Sequence, residues 1–140
     1  MEPVKKLVKQ AGVRIDQLRE ERAKRFGITG VQFSVIDFLA NQKNNAASQT
    51  AIENEFEIQR STTTIMLQRM EKRNLIQRIV DPTDKRKKMV QLTEKSLSLV
   101  PKIQRTIKND DLDLLQYFSK EELEITKRVL NFIKKENANE

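Results

Sequence analysis

The 140-residue chain contains no cysteine and no histidine, and only three glycines and three prolines. Without cysteine it has no disulfide, no thiol redox sensor and no thiolate metal site. Without histidine it lacks the commonest metal ligand and the usual general base of enzymes. So few glycines and prolines exclude a low-complexity or linker-dominated organisation. We therefore expect no metal and no cofactor.

Long apolar runs are also missing. None approaches the roughly 20 residues that a membrane span needs, and the charges of residues 1–6 are not followed by the apolar segment of a secretory signal. The expected location is the cytoplasm, without a membrane partner. Apolar residues make up 37% of the chain and charged residues 34%, a balance that suits a helix-rich protein with much exposed surface.

Positive charge is what the chain has in excess. Its net charge is +7, and the thirty residues from Gln59 to Lys88 hold nine Lys or Arg against three Asp or Glu, nine minus three or +6. The spacing in this segment predicts an amphipathic helix followed by a hairpin. A positive field concentrated on a helix and its neighbouring hairpin is typical of a protein that reads duplex DNA.

Apolar residues at helical spacing predict four helices in the first half of the chain. Their expected bounds are Val4 to about Arg25, Val31 to about Ala40, Thr50 to about Phe56, and Gln59 to about Arg73. Capping boxes, Thr29 with Gln32 and Thr50 with Glu53, are expected to begin the second and third of these. Residues 41–47 are predicted to form a polar loop.

The second half begins with Asn74, a residue type that tolerates the left-handed conformation expected where the chain leaves the fourth helix. Strands are predicted from Leu75 to Val80 and from Met89 to Thr93, joined by a turn over residues 81–88. A helical segment follows in which Pro101 either kinks the helix or sets its start. A capping box at Ser119 predicts a final helix to about Lys135.

The third and fourth helices are separated by a tight turn and resemble a helix-turn-helix, whose second helix enters the major groove. An apolar stripe on the fourth helix, Thr63, Met66, Leu67 and Met70, is expected to face the core. The outward residues are Arg60, Ser61, Thr62, Thr64, Ile65, Gln68 and Arg69. Hydroxyls and Arg suit phosphates, Gln and Arg suit base edges, and Ile suits a thymine methyl. The alternatives are a solvated basic face, or hydroxyls that serve only the helix terminus.

The predicted hairpin turn carries four consecutive cations, Lys85, Arg86, Lys87 and Lys88. Their mutual repulsion favours an anionic partner. Beside a helix-turn-helix such a turn is a wing, in which Arg86 enters a minor groove and the three lysines meet phosphates. The alternative is a hairpin that its lysines keep soluble.

These motifs together resemble the MarR family of winged helix-turn-helix regulators. The resemblance lies in residues 28–29 with Gln32, in residues 60–64 and 70–78, in Asp81 and residues 84–86, and in residues 90–93. It implies a mainly α fold with a small β-hairpin wing, as a single domain over residues 1–140. Residues 29–93 would form the DNA-binding lobe, and residues 1–26 and 94–140 a helical dimerisation region.

The chain departs from the family pattern at two positions. Asn74 stands where the family usually has Gly, and Lys85 replaces the commoner first Arg of the wing, which keeps the charge but loses the bidentate fork. The family's oxidant sensors use Cys and its zinc sensors use His, so the resemblance implies neither mechanism here.

The last predicted helix is apolar on two sides. One stripe is Leu123, Thr126, Leu130 and Ile133, and the other is Ile125, Val129 and Phe132. A helix with two apolar sides needs two partners, so we expect a homodimer that binds a pseudo-palindromic site; the alternative is a monomeric helical core. The resemblance also implies a small anionic or aromatic effector. Phe26, Phe33 and Tyr117 are candidates to line its site, although aromatics at helical spacing are more often core.

The function expected from the sequence is a dimeric, ligand-responsive transcription regulator of the repressor type that reads double-stranded DNA. An alternative is a winged-helix module that binds protein or RNA without reading bases. An enzyme is not expected, because the acidic pairs at residues 110–111 and 121–122 lie at expected helix starts, where the helix dipole explains them, and no glycine-rich phosphate loop is present.

Overall fold

The computed structural model describes residues 1–137, and the chain forms two compact units. The first unit, Met1–Ile103, contains α1 (Val4–Lys24), α2 (Gly30–Ala40), a 3-10 turn (Lys43–Asn45), β1 (Ala46–Ser48), α3 (Gln49–Phe56), α4 (Arg60–Lys72), β2 (Ile76–Val80), β3 (Lys88–Leu92) and α5 (Glu94–Leu97). The second unit begins at Gln104, within α6 (Val100–Leu114), and includes α7 (Lys120–Lys134). This mainly helical architecture with a small antiparallel sheet confirms the predicted fold class. Among the described residues, no helix is long and apolar enough to cross a membrane.

The start of α2 is the capping box expected from the sequence. The Thr29 hydroxyl accepts a hydrogen bond from the Gln32 backbone N–H at 3.2 Å. In return, Gln32 Oε1 accepts one from the Thr29 backbone N–H at 3.0 Å. This exchange satisfies two N–H groups at the helix start that would otherwise lack partners.

The predicted start of the third helix was wrong. Ser48, not Thr50, caps α3, because the Ser48 hydroxyl accepts a hydrogen bond from the Ala51 backbone N–H at 3.1 Å. Ser48 is also the last residue of β1, so the chain reaches it in the extended conformation that a capping residue adopts. Thr50 has Glu53 three positions later, as a capping box requires, but Thr50 already lies inside α3.

The predicted polar loop at residues 41–47 was also wrong. It contains the 3-10 turn and most of β1, which pairs antiparallel with β3 so that Ala47 lies opposite Val90. The sheet therefore has three strands in the order β1–β3–β2. A strand of three residues is too short to show an alternating pattern, and its pairing depends on a partner far along the chain.

The core of the first unit surrounds the inner face of α4. Thr63, Leu67 and Met70 have no exposed surface, and Met66 is partly buried against the same cluster. The neighbouring core side chains include Ile36, Leu39, Ile52, Leu75, Ile76, Val90, Leu92 and Ile103. Because the Thr63 hydroxyl donates to the Gln59 carbonyl at 2.9 Å, its burial leaves no donor unpaired.

Two backbone features settle details that were open in the sequence. Asn74 has a φ of 59°, the left-handed conformation expected at the exit from α4. Pro101 is the second residue of α6 and marks the helix start rather than a kink. Its missing N–H costs nothing there, since N–H groups of the first turn have no partner within the helix.

The left-handed conformation of Asn74 predicts the order of stability of three variants. Asn74→Ala should lower the free energy of unfolding by about 1 kcal/mol, because a Cβ without a compensating polar group is disfavoured there. Asn74→Gly should stay within about 0.5 kcal/mol of wild type. Urea denaturation at one protein concentration measures both. Asn54→Ala, in the right-handed backbone of α3, is the control and should be slightly stabilising; equal stability of Asn74→Ala and wild type would contradict this explanation.

Candidate nucleic-acid interface

The outer face of α4 is open to solvent. A turn centred on Glu57, which has a φ of 52°, joins α3 to α4, and the Ile58 backbone N–H donates to the Glu53 carbonyl at 3.1 Å. The exposed side chains of α4 include Arg60, Ser61, Thr62, Ile65, Gln68 and Arg69. Because the inner face of α4 is turned toward the core, the residues predicted to contact DNA are accessible to solvent. Thr64 is the one exception among them.

Thr64 is only half-exposed, and its hydroxyl is used within the first unit. It donates to the Arg60 carbonyl at 2.9 Å and accepts from Gln49 Nε2 at 2.8 Å. A hydroxyl has a single proton to donate, so Thr64 could meet a partner outside the chain only as an acceptor. The contact with Gln49 also connects α3 to α4, a role that the sequence pattern does not indicate for either residue.

The end of α4 is tied to the turn between α1 and α2. Arg73 Nη1 donates to Gln32 Oε1 at 3.2 Å, and Arg73 Nη2 donates to the Gly27 carbonyl. Residues that follow β3 contact the backbone at the same place. Lys95 Nζ donates to the Arg73 carbonyl at 2.9 Å, and the Thr93 hydroxyl donates to the Asn74 carbonyl at 2.7 Å. Arg73 continues the inward spacing of Met66 and Met70, which is the signal in the sequence that could have revealed its structural role.

Seven of the nine cations between Gln59 and Lys88 fall into two groups, and the other two, Arg86 and Lys87, lie in the wing. Arg73 is held by Gln32 and Gly27, and Arg78 Nε lies 3.6 Å from the Glu71 carboxylate. Within the described residues, no hydrogen bond or ion pair is made by the side chains of Arg60, Arg69, Lys72, Lys85 and Lys88. Their charges remain available to an anionic partner. Since Arg73 and Arg78 are engaged within the chain, the positive charge that a partner can reach is smaller than the net charge counted from the sequence of this segment.

The turn between β2 and β3 is organised by two aspartates. Asp81 Oδ1 accepts from the Thr83 hydroxyl at 2.7 Å and from the Thr83 N–H at 2.8 Å, and these hydrogen bonds lower the pKa of Asp81. Asp84 Oδ1 accepts from the Arg86 backbone N–H at 3.0 Å. The two carboxylates thus accept hydrogen bonds from the backbone N–H groups of Thr83 and Arg86, and these local hydrogen bonds stabilise the turn.

Three of the four wing cations lie in this ordered turn, and the fourth, Lys88, is the first residue of β3 and not part of the turn predicted over residues 81–88. Lys85, Arg86, Lys87 and Lys88 are all exposed. The Arg86 side chain is 92% exposed, although its Nε lies 3.3 Å from Asp84 Oδ1. Since ion pairs between exposed groups are weak, this contact orients the guanidinium without removing it from solvent.

The three aromatic candidates for an effector site differ in their surroundings. Phe33 is buried in the core, and its ring centroid lies 6.1 Å from that of Phe26, which packs against the same cluster. Phe26 and Phe33 therefore stabilise the first unit. Tyr117 belongs to the second unit and is 79% exposed.

The comparison with known proteins agrees with this geometry. Residues 26–87 match a model of the MarR family. The transcription regulator MarR from Oenococcus oeni is 31% identical, with a TM-score of 0.83, over 96% of this chain and 100% of that one. The chain belongs to the MarR family. Among proteins with curated functions, none matches it.

More distant structures share the fold. MepR of S. aureus, in a complex with DNA, is 23% identical with a TM-score of 0.82, and the match covers 95% of this chain and 96% of MepR. BpsR of Bordetella bronchiseptica, whose DNA binding is regulated by 6-hydroxynicotinic acid, is 22% identical with a TM-score of 0.78, over 97% of this chain and 96% of BpsR. The family fold thus extends over nearly the whole chain, well beyond the segment in which its motifs occur.

The division of cations can be tested by comparing two arginine variants. Arg73→Ala should lower the free energy of unfolding by about 1–3 kcal/mol, because it removes hydrogen bonds from a charged donor and leaves the Gly27 carbonyl without that partner. Arg69→Ala, on the exposed face, should change it by less than about 0.5 kcal/mol. Urea denaturation of both at one protein concentration measures the difference. Similar losses for the two variants would contradict the assignment.

Proposed function

We propose that this protein is a sequence-specific, double-stranded DNA-binding transcription regulator of the repressor type. It acts in the cytoplasm, without catalysis, as a homodimer on a pseudo-palindromic operator, and a small anionic or aromatic ligand modulates it. The observation that carries the proposal is the outer face of α4, where the side chains of Arg60, Ser61, Thr62, Gln68 and Arg69 are exposed and, within residues 1–137, make no hydrogen bond or ion pair. On the inner face, Thr63, Leu67 and Met70 are fully buried.

The polar and cationic side chains of the outer face have roles suited to their chemistry. Ser61, Thr62 and Arg60 lie in the first turn of α4 and contact phosphates, which position the helix. Gln68 and Arg69 lie two turns further along and read base edges in the major groove. Thr64 accepts rather than donates, since its proton is used within the chain.

The wing supplies the second set of contacts. Arg86 inserts into the minor groove, and Lys85, Lys87 and Lys88 meet the flanking phosphates. Residues 29–93 form the DNA-binding lobe in this proposal. The DNA complex of MepR supports it, since that protein shares this fold.

The homodimer would be built from residues 1–26 and 94–140, of which residues 138–140 lie outside the described part of the chain. α7 has no fully buried side chain, and its exposed apolar residues include Ile125, Val129, Leu130 and Phe132. Phe132 alone is 71% exposed, an unfavourable arrangement in water that a second subunit would relieve. In a two-fold dimer on DNA, the two α4 helices would lie roughly 34 to 36 Å apart, one turn of the double helix.

A ligand would act by binding one arrangement of the dimer more tightly than the other. Only a difference in affinity between the DNA-competent and incompetent arrangements can shift their populations. The regulation of BpsR by 6-hydroxynicotinic acid, an aromatic acid, supports this chemical class for the ligand.

A protein or RNA partner that is bound without base reading is the second candidate. The exposed cations alone would serve it, because positive charge attracts any anionic surface. The exposed Gln68 and Arg69 favour DNA, since their side chains match base edges in the major groove. Binding that is indifferent to sequence in a competition assay would favour the second candidate.

Affinity for the operator is expected to depend steeply on salt. The logarithm of the binding constant should fall linearly with the logarithm of salt concentration, with a slope of about −0.9 for each phosphate neutralised. Arg86→Ala should weaken binding, and Lys87→Ala, which removes one phosphate contact from each subunit, should in a dimer reduce the magnitude of the slope by about 2. Fluorescence anisotropy over a salt series measures both.

The matched control for Lys87→Ala is Lys134→Ala, which removes the same charge from the last turn of α7. It should leave the slope unchanged, because α7 does not belong to the proposed DNA interface. A complex that does not respond to salt, or equal effects of the two substitutions, would argue against the proposed interface.

The dimer surface predicts a difference between adjacent residues of α7. Phe132→Asp should raise the dimer dissociation constant by at least about tenfold, because it replaces a large apolar contact with a charge that would be buried. Asn131→Asp adds the same charge to a polar position and should have a much smaller effect. Sedimentation equilibrium at micromolar concentrations distinguishes them. A wild-type protein that is monomeric under these conditions would remove the dimer and the palindromic operator together.

A further inference from the structure

Ile65 is the residue of α4 whose exposure the fold does not explain. It is 52% exposed, while Thr63 and Leu67 on either side of it along the helix are fully buried. Within the described part of the chain, it does not belong to the core cluster or to the side chains packed against it. Isoleucine is also a weaker helix former than the polar residues usual on a solvated face.

The position of Ile65 places it among the residues proposed to contact DNA. Residues three and four apart are neighbours on a helix surface. The neighbours of Ile65 by this rule are Ser61, Thr62, Gln68 and Arg69, which are all exposed. A helix that places these four against the major groove must cover Ile65 as well.

An apolar side chain covered by base edges needs an apolar partner. Most groups that the major groove presents are hydrogen-bond donors and acceptors, and covering them with Ile65 would remove their water without replacing its hydrogen bonds. The exception is the 5-methyl group of thymine. Contact between this methyl and Ile65 removes apolar surface from water on both sides.

From this arrangement we infer that Ile65 is a specificity-determining residue that reads the 5-methyl group of a thymine in each operator half-site. The inference rests on the proposed function and names one base at one position of the site. Gln68 and Arg69 discriminate by hydrogen bonding. Ile65 adds discrimination against cytosine and against thymine without its methyl group.

Replacement of thymine by deoxyuridine tests this contact directly. The exchange removes the methyl group and keeps the Watson–Crick pair. The operator is first obtained by selection from random duplexes, and each thymine of a half-site is then replaced in turn. Wild-type protein should lose about fourfold in affinity at one position, the effect of one methyl group removed from an apolar contact. Replacement in both half-sites should cost about 15-fold if the two add.

The same DNA series with Ile65→Ala and Ile65→Val shows whether Ile65 makes the contact. Ile65→Ala should bind the thymine operator more weakly than wild type and lose its response to deoxyuridine at that position. Ile65→Val keeps a branched apolar side chain and should keep most of the response. Because Ile65 is exposed, Ile65→Ala should unfold at nearly the wild-type temperature, so a weaker complex reports on contact and not on folding.

The outcomes separate this inference from the proposed function. A complex with the expected salt dependence that responds to no deoxyuridine, or that responds equally in wild type and Ile65→Ala, overturns the role of Ile65 alone. A selected half-site without thymine overturns it too. Failure to select any duplex rejects the proposed function, and the role of Ile65 with it.

Discussion

The burial of one face of α4 is the constraint on which the rest of the candidate site depends. Thr63, Leu67 and Met70 are fully enclosed in the core of the first unit. A helix that buries one face is fixed in its rotation about its own axis, because rotating it in either direction would expose apolar side chains and bury polar ones. Core packing therefore decides which side chains can reach a groove of DNA.

Hydrogen bonds at both ends of α4 fix its position as well as its rotation. Near its start, Gln49 of α3 donates to Thr64, and beyond its end Arg73 donates to Gln32 and Gly27. Recognition of base edges requires side chains held in a narrow range of positions, and a helix tied at both ends meets this requirement. The wing is ordered by Asp81 and Asp84, but its cations remain in solvent.

The sequence predicted those features that depend on neighbouring residues. Apolar spacing identified α1, α2 and α4, and the capping boxes at Thr29 and Ser119 were correct. The strand β1 was missed because its pairing with β3 is a contact between distant parts of the chain. Likewise, residue type alone did not separate Arg73 from Arg69, since both are exposed arginines. The inward spacing of Arg73 with Met66 and Met70 indicated a difference, but its partners Gln32 and Gly27 are distant in the sequence.

Selection of bound duplexes from a random pool tests whether the exposed face of α4 reads DNA sequence. If it does, one half-site should be enriched in two copies related by two-fold symmetry, with centres about 10 to 10.5 base pairs or a multiple apart. A variant that carries both Gln68→Ala and Arg69→Ala should still bind DNA but enrich a more degenerate half-site. Enrichment of no sequence by the wild-type protein, or of the same sequence by both proteins, would contradict this role of α4.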